Sequence, residues 1–423
     1  MSTKTKASEL KLDYKNTFLI GFGFFASSLA WSVYNANVPL ILDKYVSSTF
    51  LLGIIMAIDN IFAVIFQPLF GALSDKTVTK RGRRLPYILV GIPICAILFN
   101  FIPWTKSLYA LMGLVIIFNF IMSTWRSPVI ALMPDVTPSP LRSKANGVIN
   151  LMGGVGGVLA FLVGGILLDI GGMKAPFMFC SIVMIVAWLL LYFFVHEPII
   201  MCKEERIKLE QKEKIEELSD KKSINKSLLC ILLAIFFWFV GYNAIETYFT
   251  LYATNVLNIT PGIASITLTF FSLALVIGAI PAGIIGTKLG RKKTIITGLI
   301  GIILIFSVQI MINDINIIRV LLALAGFFWA CVNINSLPMV LEIAKSSRIG
   351  KYTGYYYFFS ASAAIISPPL FGLIHDFTNN YSHLFVYSVI AFILALICIS
   401  MAKHGEAVII QDEITKEIEE FDN

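Results

Sequence analysis

Residues 71–84 read GALSDKTVTKRGRR. Five Lys or Arg crowd this stretch, yet the residues on either side, 49–73 and 87–104, carry a single charge, Asp59. Apolar runs of about 20 residues are the length that crosses a bilayer as helix. A basic loop between two such runs reads as a turn held on one side of a membrane. Its tail, Gly82-Arg83-Arg84, recurs as Gly290-Arg291-Lys292 at an offset of 208 residues.

Working outward, the repeat extends along the chain. Tyr34-Asn35-Ala36 returns as Tyr242-Asn243-Ala244, again 208 residues later. Gly165 and Asp169 return as Gly372 and Asp376, and Asp135 and Gly147 as Glu342 and Gly354, all at 207. Ordered matches at nearly one offset imply two copies of one unit in parallel orientation, an architecture of transporters.

Composition agrees. The 423 residues are 57% hydrophobic and 14% charged, with a mean hydropathy of +0.82. Soluble domains carry roughly 25% charge, and a globule of this size lacks the interior to hide so much apolar surface. Disorder and coiled coils are excluded by the same figures. An all-α membrane protein remains, because lipid forces backbone groups to pair internally. Twelve spans are expected, near 17–41, 49–73, 87–104, 108–132, 148–169, 176–195, 228–255, 261–287, 294–312, 316–340, 353–374 and 382–402. They divide into a six-helix bundle at 1–195, a charged linker at 196–227, and a second bundle with its tail at 228–423. The linker holds eight Lys/Arg and eight Asp/Glu.

Sidedness follows from the basic residues. The termini and the connections on their side hold 28 Lys/Arg, against Lys44, Lys106 and Lys174 on the other. Both termini are therefore expected in the cytoplasm, with the protein in the cell membrane. The polar stretch Met1–Asn16 suits a retained first span rather than a cleaved leader. The net charge of +7 belongs to these loops and implies no nucleic-acid partner. Five cysteines lie in apolar runs and Cys202 in the linker, which suggests no disulfide framework. The sequence lacks G-x-x-x-x-G-K-S/T, a metal-ligand cluster and a catalytic grouping. No enzyme, cofactor or ATP-driven pump is expected.

Gly71-Ala-Leu-Ser-Asp75-Lys76 with Gly82-Arg83-Arg84, and Gly283-Ile-Ile-Gly-Thr287-Lys288-Leu-Gly290-Arg291-Lys292, resemble the loop motif of the major facilitator superfamily, G-x-L-x-D-R/K-x-G-R/K-R/K. The first copy has four extra residues, and the second replaces the acid with Thr287. Gln67-Pro68-Leu69, Gly71, Ser74-Asp75-Lys76-Thr77, Pro86-Tyr87, Pro128, Asp135, Pro138 and Arg142 are similar to the sucrose-carrier branch and its kin, the glycoside–pentoside–hexuronide cation symporters. The resemblance implies two pseudo-symmetric bundles whose spans 1, 4, 7 and 10 line a central cavity. It does not carry over every site. The acid that plant sucrose carriers keep in span 4 matches Asn119, and their following arginine matches Ile130. The sodium-binding acids of melibiose-type carriers match Ala63 and Gln67, and their sugar-binding acid matches Arg126.

Three charges stand out within spans, where each costs about 2.5 kcal/mol or more unless it faces a cavity or partner. They are Asp59, Arg126 and Glu246, and their repeat-mates are uncharged. Charge confined to one copy points to an asymmetric role, either binding a solute or carrying a proton. The substrate site is expected from Trp31, Tyr34, Asn35, Asn119, Arg126, Trp238, Tyr242, Asn243, Glu246, Trp329 and Asn333. Aromatic faces beside amides and carboxylates suit a sugar, and a site built for hydroxyls discriminates strongly. For the tryptophans and the Tyr-Asn pairs, packing is the competing reading. Proton coupling is expected of Asp59, Arg126 and Glu246. A cytoplasmic gate is expected from Asp75, Arg83, Arg84, Asp135, Arg142, Arg291, Glu342 and Arg348, with Asp135 and Glu342 followed by Arg142 and Arg348.

The sequence thus predicts a monomeric secondary carrier in the bilayer, moving a sugar or glycoside with a cation, H⁺ before Na⁺. Export of an amphipathic solute on the same fold is the first alternative. A solute sensor that moves nothing is the second.

Overall fold

The computed structural model describes residues 12–137, 141–197, 226–343 and 349–402. Among the described residues twelve α-helices follow one another: α1 (Tyr14–Leu42), α2 (Thr49–Lys76), α3 (Leu85–Phe101), α4 (Leu108–Val136), α5 (Arg142–Gly171), α6 (Lys174–Phe194), α7 (Lys226–Asn255), α8 (Pro261–Leu289), α9 (Arg291–Gln309), α10 (Ile315–Ile343), α11 (Ile349–Thr378) and α12 (His383–Met401). All twelve are long and apolar enough to cross a membrane. The chain is an integral membrane protein of twelve spans, each near its expected place. Most of the 196–227 linker and Arg348 lie outside the described residues.

Local chemistry sets the helix ends. Ser48, Ser107 and Thr260 cap α2, α4 and α8 by accepting from backbone N–H groups two or three residues into each helix. Gly82 and Gly290, at φ 105° and 92°, end the two basic loops in a backbone conformation that costs only glycine nothing.

Helices α1–α6 pack among themselves, as do α7–α12. The two groups meet where α2 crosses α11, α5 crosses α8 and α1 faces α7. Gly165 and Gly372 make two of these crossings possible. A methyl on Gly165 would stand 2.7 Å from the Gly262 carbonyl, and one on Gly372 would strike the Thr49 carbonyl. With twelve spans, all basic loops share one end of the bundle, the basic end. The loops holding Asp43 and Asn379 share the other.

Candidate functional site

Between the two helix groups lies a polar cavity of about 280 Å³. Helix periodicity explains its lining. From α1 come Ser28, Trp31, Ser32 and Asn35; from α2, Met56, Asp59, Asn60 and Ala63. Both sets follow i, i+3, i+4, i+7, one face of a helix. Helix α7 adds Asn243, Glu246 and Thr247, α4 adds Arg126, and α11 adds Ala364 and Pro368. The three intramembrane charges expected to converge do so. Asp59 and Arg126 come from the first group and Glu246 from the second.

Their partners differ. Asp59 is 6% exposed, and its Oδ1 accepts from the Asn60 backbone N–H at 2.6 Å and the Asn60 amide at 2.7 Å. Glu246 has the Asn35 amide as a neighbour and lies within coulombic reach of Asp59 and Arg126. Arg126 makes no hydrogen bond and no ion pair within 4.0 Å among the described residues. Its guanidinium carbon sits 5.3 Å from the Trp31 ring centroid, within cation–π range.

Several expected residues stand elsewhere. Tyr34 is fully buried, stacked on Phe118 at 5.9 Å, and accepts a 3.4 Å hydrogen bond from Asn119, itself 1% exposed. This pair braces α1 against α4 behind the cavity. Trp238 is also fully buried and does not line the polar cavity. Tyr242 and Trp329 stack in parallel at 4.6 Å and border a separate apolar pocket of about 30 Å³, which Glu246 joins to the polar one. Asn333 lines neither cavity. The reason is geometric. A stripe such as Trp238, Tyr242, Glu246 at i, i+4, i+8 turns about 40° per step, so its first member rotates out of the face that holds its last. Asn243 lines the cavity, although its amide donates to the Phe239 carbonyl at 2.7 Å. Sequence reasoning passed over Ser28, Ser32, Asn60 and Thr247; Ser28 and Ser32 stand three residues before Trp31 and Asn35, and Thr247 four after Asn243, which was the available signal for those three.

At the basic end the expected gate residues form two unequal groups. Arg83 pairs with Asp135 through 2.6 Å and 3.0 Å bonds. Arg84, nearly buried, reaches Asp135 at 2.9 Å, the Gly71 carbonyl at 3.1 Å, and also Asp75 and Ser74. Glu197 closes the group by accepting from the Arg84 backbone N–H at 2.8 Å. In the second copy Arg291 pairs with Glu342 and donates to the Pro338 carbonyl at 3.1 Å. Asp135 and Glu342 thus turn to the loop arginines. The Arg142 side chain and all of Arg348, expected beside them, lie outside the described residues.

The other end carries what the sequence left unassigned. Asp169 in α5 accepts from the Thr260 hydroxyl at 2.9 Å and the Gly262 N–H at 3.0 Å, capping α8. Its repeat-mate Asp376 in α11 accepts from the Ser48 hydroxyl at 2.6 Å, the Thr49 N–H at 2.6 Å and the Phe50 N–H at 3.1 Å, capping α2. A carboxylate at a helix N-terminus meets the positive end of the macrodipole. Tyr248 adds a bridge, donating to the Thr49 and Pro368 carbonyls at 3.1 and 2.9 Å. Beside it, burial pushes the Asp43 carboxyl above its ordinary range and the Tyr381 phenol up to about 12. Among the described residues, no ion pair or hydrogen bond ties the two helix groups at the basic end.

The family model described as Major Facilitator Superfamily matches residues 20–265 and 252–408. The chain belongs to the Major Facilitator Superfamily. It is therefore a membrane transporter of small molecules and not an enzyme. It is 27% identical over 284 residues to multidrug resistance protein 2 of Bacillus subtilis, covering 66% of this chain and 70% of that one. It is 25% identical over 250 residues to the cis,cis-muconate transport protein of Acinetobacter baylyi, covering 57% and 60%. The relatives carry names of drug resistance and muconate transport, so the superfamily expectation holds while the sucrose branch is not the name they bear. Among solved structures, a bacterial homolog of the human lysosomal transporter Spinster, inward-facing and occupied, superposes with a TM-score of 0.75 at 12% identity over 93% of this chain and 97% of that one. The nucleoside transporter NupG gives 0.69 at 12% identity over 91% and 98%.

Proposed function

We propose that this transporter is a proton-coupled carrier of a small hydrophilic solute, of the sugar or glycoside class, working by alternating access. The observation that carries the reading is the polar cavity between the helix groups, with Asp59 and Arg126 on one wall and Glu246 on the other. At about 280 Å³ it falls just below the roughly 300–1,000 Å³ typical of drug-sized ligands. Hydroxyls of Ser28, Ser32 and Thr247, amides of Asn35, Asn60 and Asn243, and the face of Trp31 suit a hydroxylated solute better than a greasy one.

The bundles 1–195 and 228–423 rock about this cavity. The basic end is cytoplasmic and both termini lie there, in the cell membrane. The Asp169 and Asp376 caps then close the outside, so the conformation faces inward. Proton uptake at Asp59 or Glu246 resets the charge balance around Arg126 as the solute binds.

A second reading is export of an amphipathic compound, favoured by the named function of the Bacillus subtilis relative. Proteoliposomes separate the two. Counterflow of labelled glucose, sucrose or glucuronate, with solute-dependent alkalinisation outside, supports the carrier of hydrophilic solutes. Proton-driven extrusion of ethidium with no sugar counterflow supports export. Absence of both rejects transport by this site.

A further inference from the structure

We propose that the solute carries a carboxylate, which Arg126 binds against the face of Trp31, and that a proton on Asp59 or Glu246 enters with it. The inference rests on the carrier reading above, keeps its proton-coupled exchange, and puts a carboxylate on the solute in place of a neutral sugar.

The three charged groups of the cavity differ in the partners they have. An ionised carboxylate only accepts hydrogen bonds, whereas a guanidinium has five N–H donors and no acceptor. Asp59 takes two bonds from Asn60, and Glu246 has the Asn35 amide as a neighbouring donor. Arg126 is the group with nothing to donate to among the described residues. A charge inside a membrane protein is costly without a partner. Trp31 answers only part of that need, since a ring face stabilises the cation but accepts none of its in-plane N–H bonds. The planar fork fits a carboxylate with two parallel bonds. A cationic solute would find Asp59 already bonded to Asn60 and Arg126 opposing it.

Charge counting supplies the coupling. Asp59, Arg126 and Glu246 are the charged groups lining the cavity among the described residues. With both acids ionised the site sums to one negative charge, which opposes an incoming anion. Protonating one acid makes it neutral, and protonating both leaves the cation that a carboxylate neutralises. An organic acid therefore loads together with protons, and its affinity rises as the medium becomes more acidic. The small lining groups Ala63 and Ala364 leave room for the uncharged part of the solute.

The test uses purified full-length protein and three matched series that differ in one group. The series are glucuronate, glucose and the glucose analogue with an amine at carbon six; lactate, propylene glycol and isopropanolamine; and benzoate, benzyl alcohol and benzylamine. Binding is read by isothermal titration and by ligand-dependent thermal protection, in mildly acidic and mildly alkaline buffer. In at least one series the acid is expected to bind roughly tenfold or more tighter than its neutral and amine partners, and tighter in acid than in alkali. Arg126→Gln is expected to abolish that preference, while Arg126→Lys retains its sign. Ligand-free melting of both variants reports folding independently. Preference for a neutral or amine member, no acid preference in any series, or a preference that survives Arg126→Gln overturns the inference. Counterflow of the preferred compound keeps the two readings apart. Glucose bound and moved in preference to glucuronate ends the organic-acid inference and leaves the carrier standing. An acid bound through Arg126 but never moved does the reverse.

Discussion

The two ends of this transporter are bonded in opposite ways. At the end holding Asp169 and Asp376, each helix group caps a helix of the other, and the two caps are repeat-mates. At the basic end each group bonds only within itself among the described residues, and the groups differ: Arg84 sits in a web of Asp75, Asp135, Ser74 and Gly71, while Arg291 has Glu342 and one carbonyl. On the proposed rocking cycle, contacts across the interface break while contacts within a bundle survive.

That contrast can be broken first at its strongest bond. Arg84→Gln takes a buried guanidinium from Asp135, which keeps Arg83, and from half-exposed Asp75, at a cost of about 1.5–3 kcal/mol. The thermal midpoint is expected to fall sharply. Removing the caps acts on a different quantity. Asp169→Ala with Asp376→Ala removes two caps of roughly 1 kcal/mol each, moving the outward-to-inward ratio by about thirtyfold. In a background without the native cysteines, labelling of Ser32→Cys by an impermeant maleimide from the Asp43 side is expected to speed up accordingly, with little change in melting. Unchanged labelling would show that the caps do not hold the closed end.

Two smaller changes sharpen the comparison. His375, whose Nδ1 meets the Thr49 hydroxyl at 2.8 Å, has Leu168 in its place beside the other cap. His375→Leu makes the two caps alike and is expected to loosen the α2–α11 crossing by about 1 kcal/mol, seen as a modest rise in the same labelling. Arg291→Gln removes a pair whose side chains are 20% and 34% exposed. Exposed pairs contribute about 0.2–1 kcal/mol, so its melting shift is expected to be far below that of Arg84→Gln.

Much of this was legible in the sequence because lipid makes it so. Runs of apolar residues, the basic loops and the two Gly-Arg-Arg/Lys turns fix helix count, order and relative sidedness without any knowledge of contacts. Asp59, Arg126 and Glu246 announced a shared cavity because a membrane tolerates isolated charge poorly. Trp31, Asn35 and Asn243 joined them as neighbours on the same faces. The failures came from rotation and from partners distant in sequence. Tyr34, Asn119 and Trp238 have the right chemistry on helix faces that turn into the packing. Ser28 and Ser32 look unremarkable until the face they share with Trp31 is known. Asp169 and Asp376 stood out as a repeated Gly-x-x-x-Asp, yet their partners, Thr260 and Ser48, belong to the opposite bundle, and helix crossing alone brings them together.

The most direct test of the central claim is proton-driven accumulation in proteoliposomes, measured for whichever solute the native protein exchanges, in Asp59→Asn and Glu246→Gln beside the unaltered chain. At least one variant is expected to keep solute exchange but lose accumulation against a gradient. Native accumulation in both variants would contradict that claim.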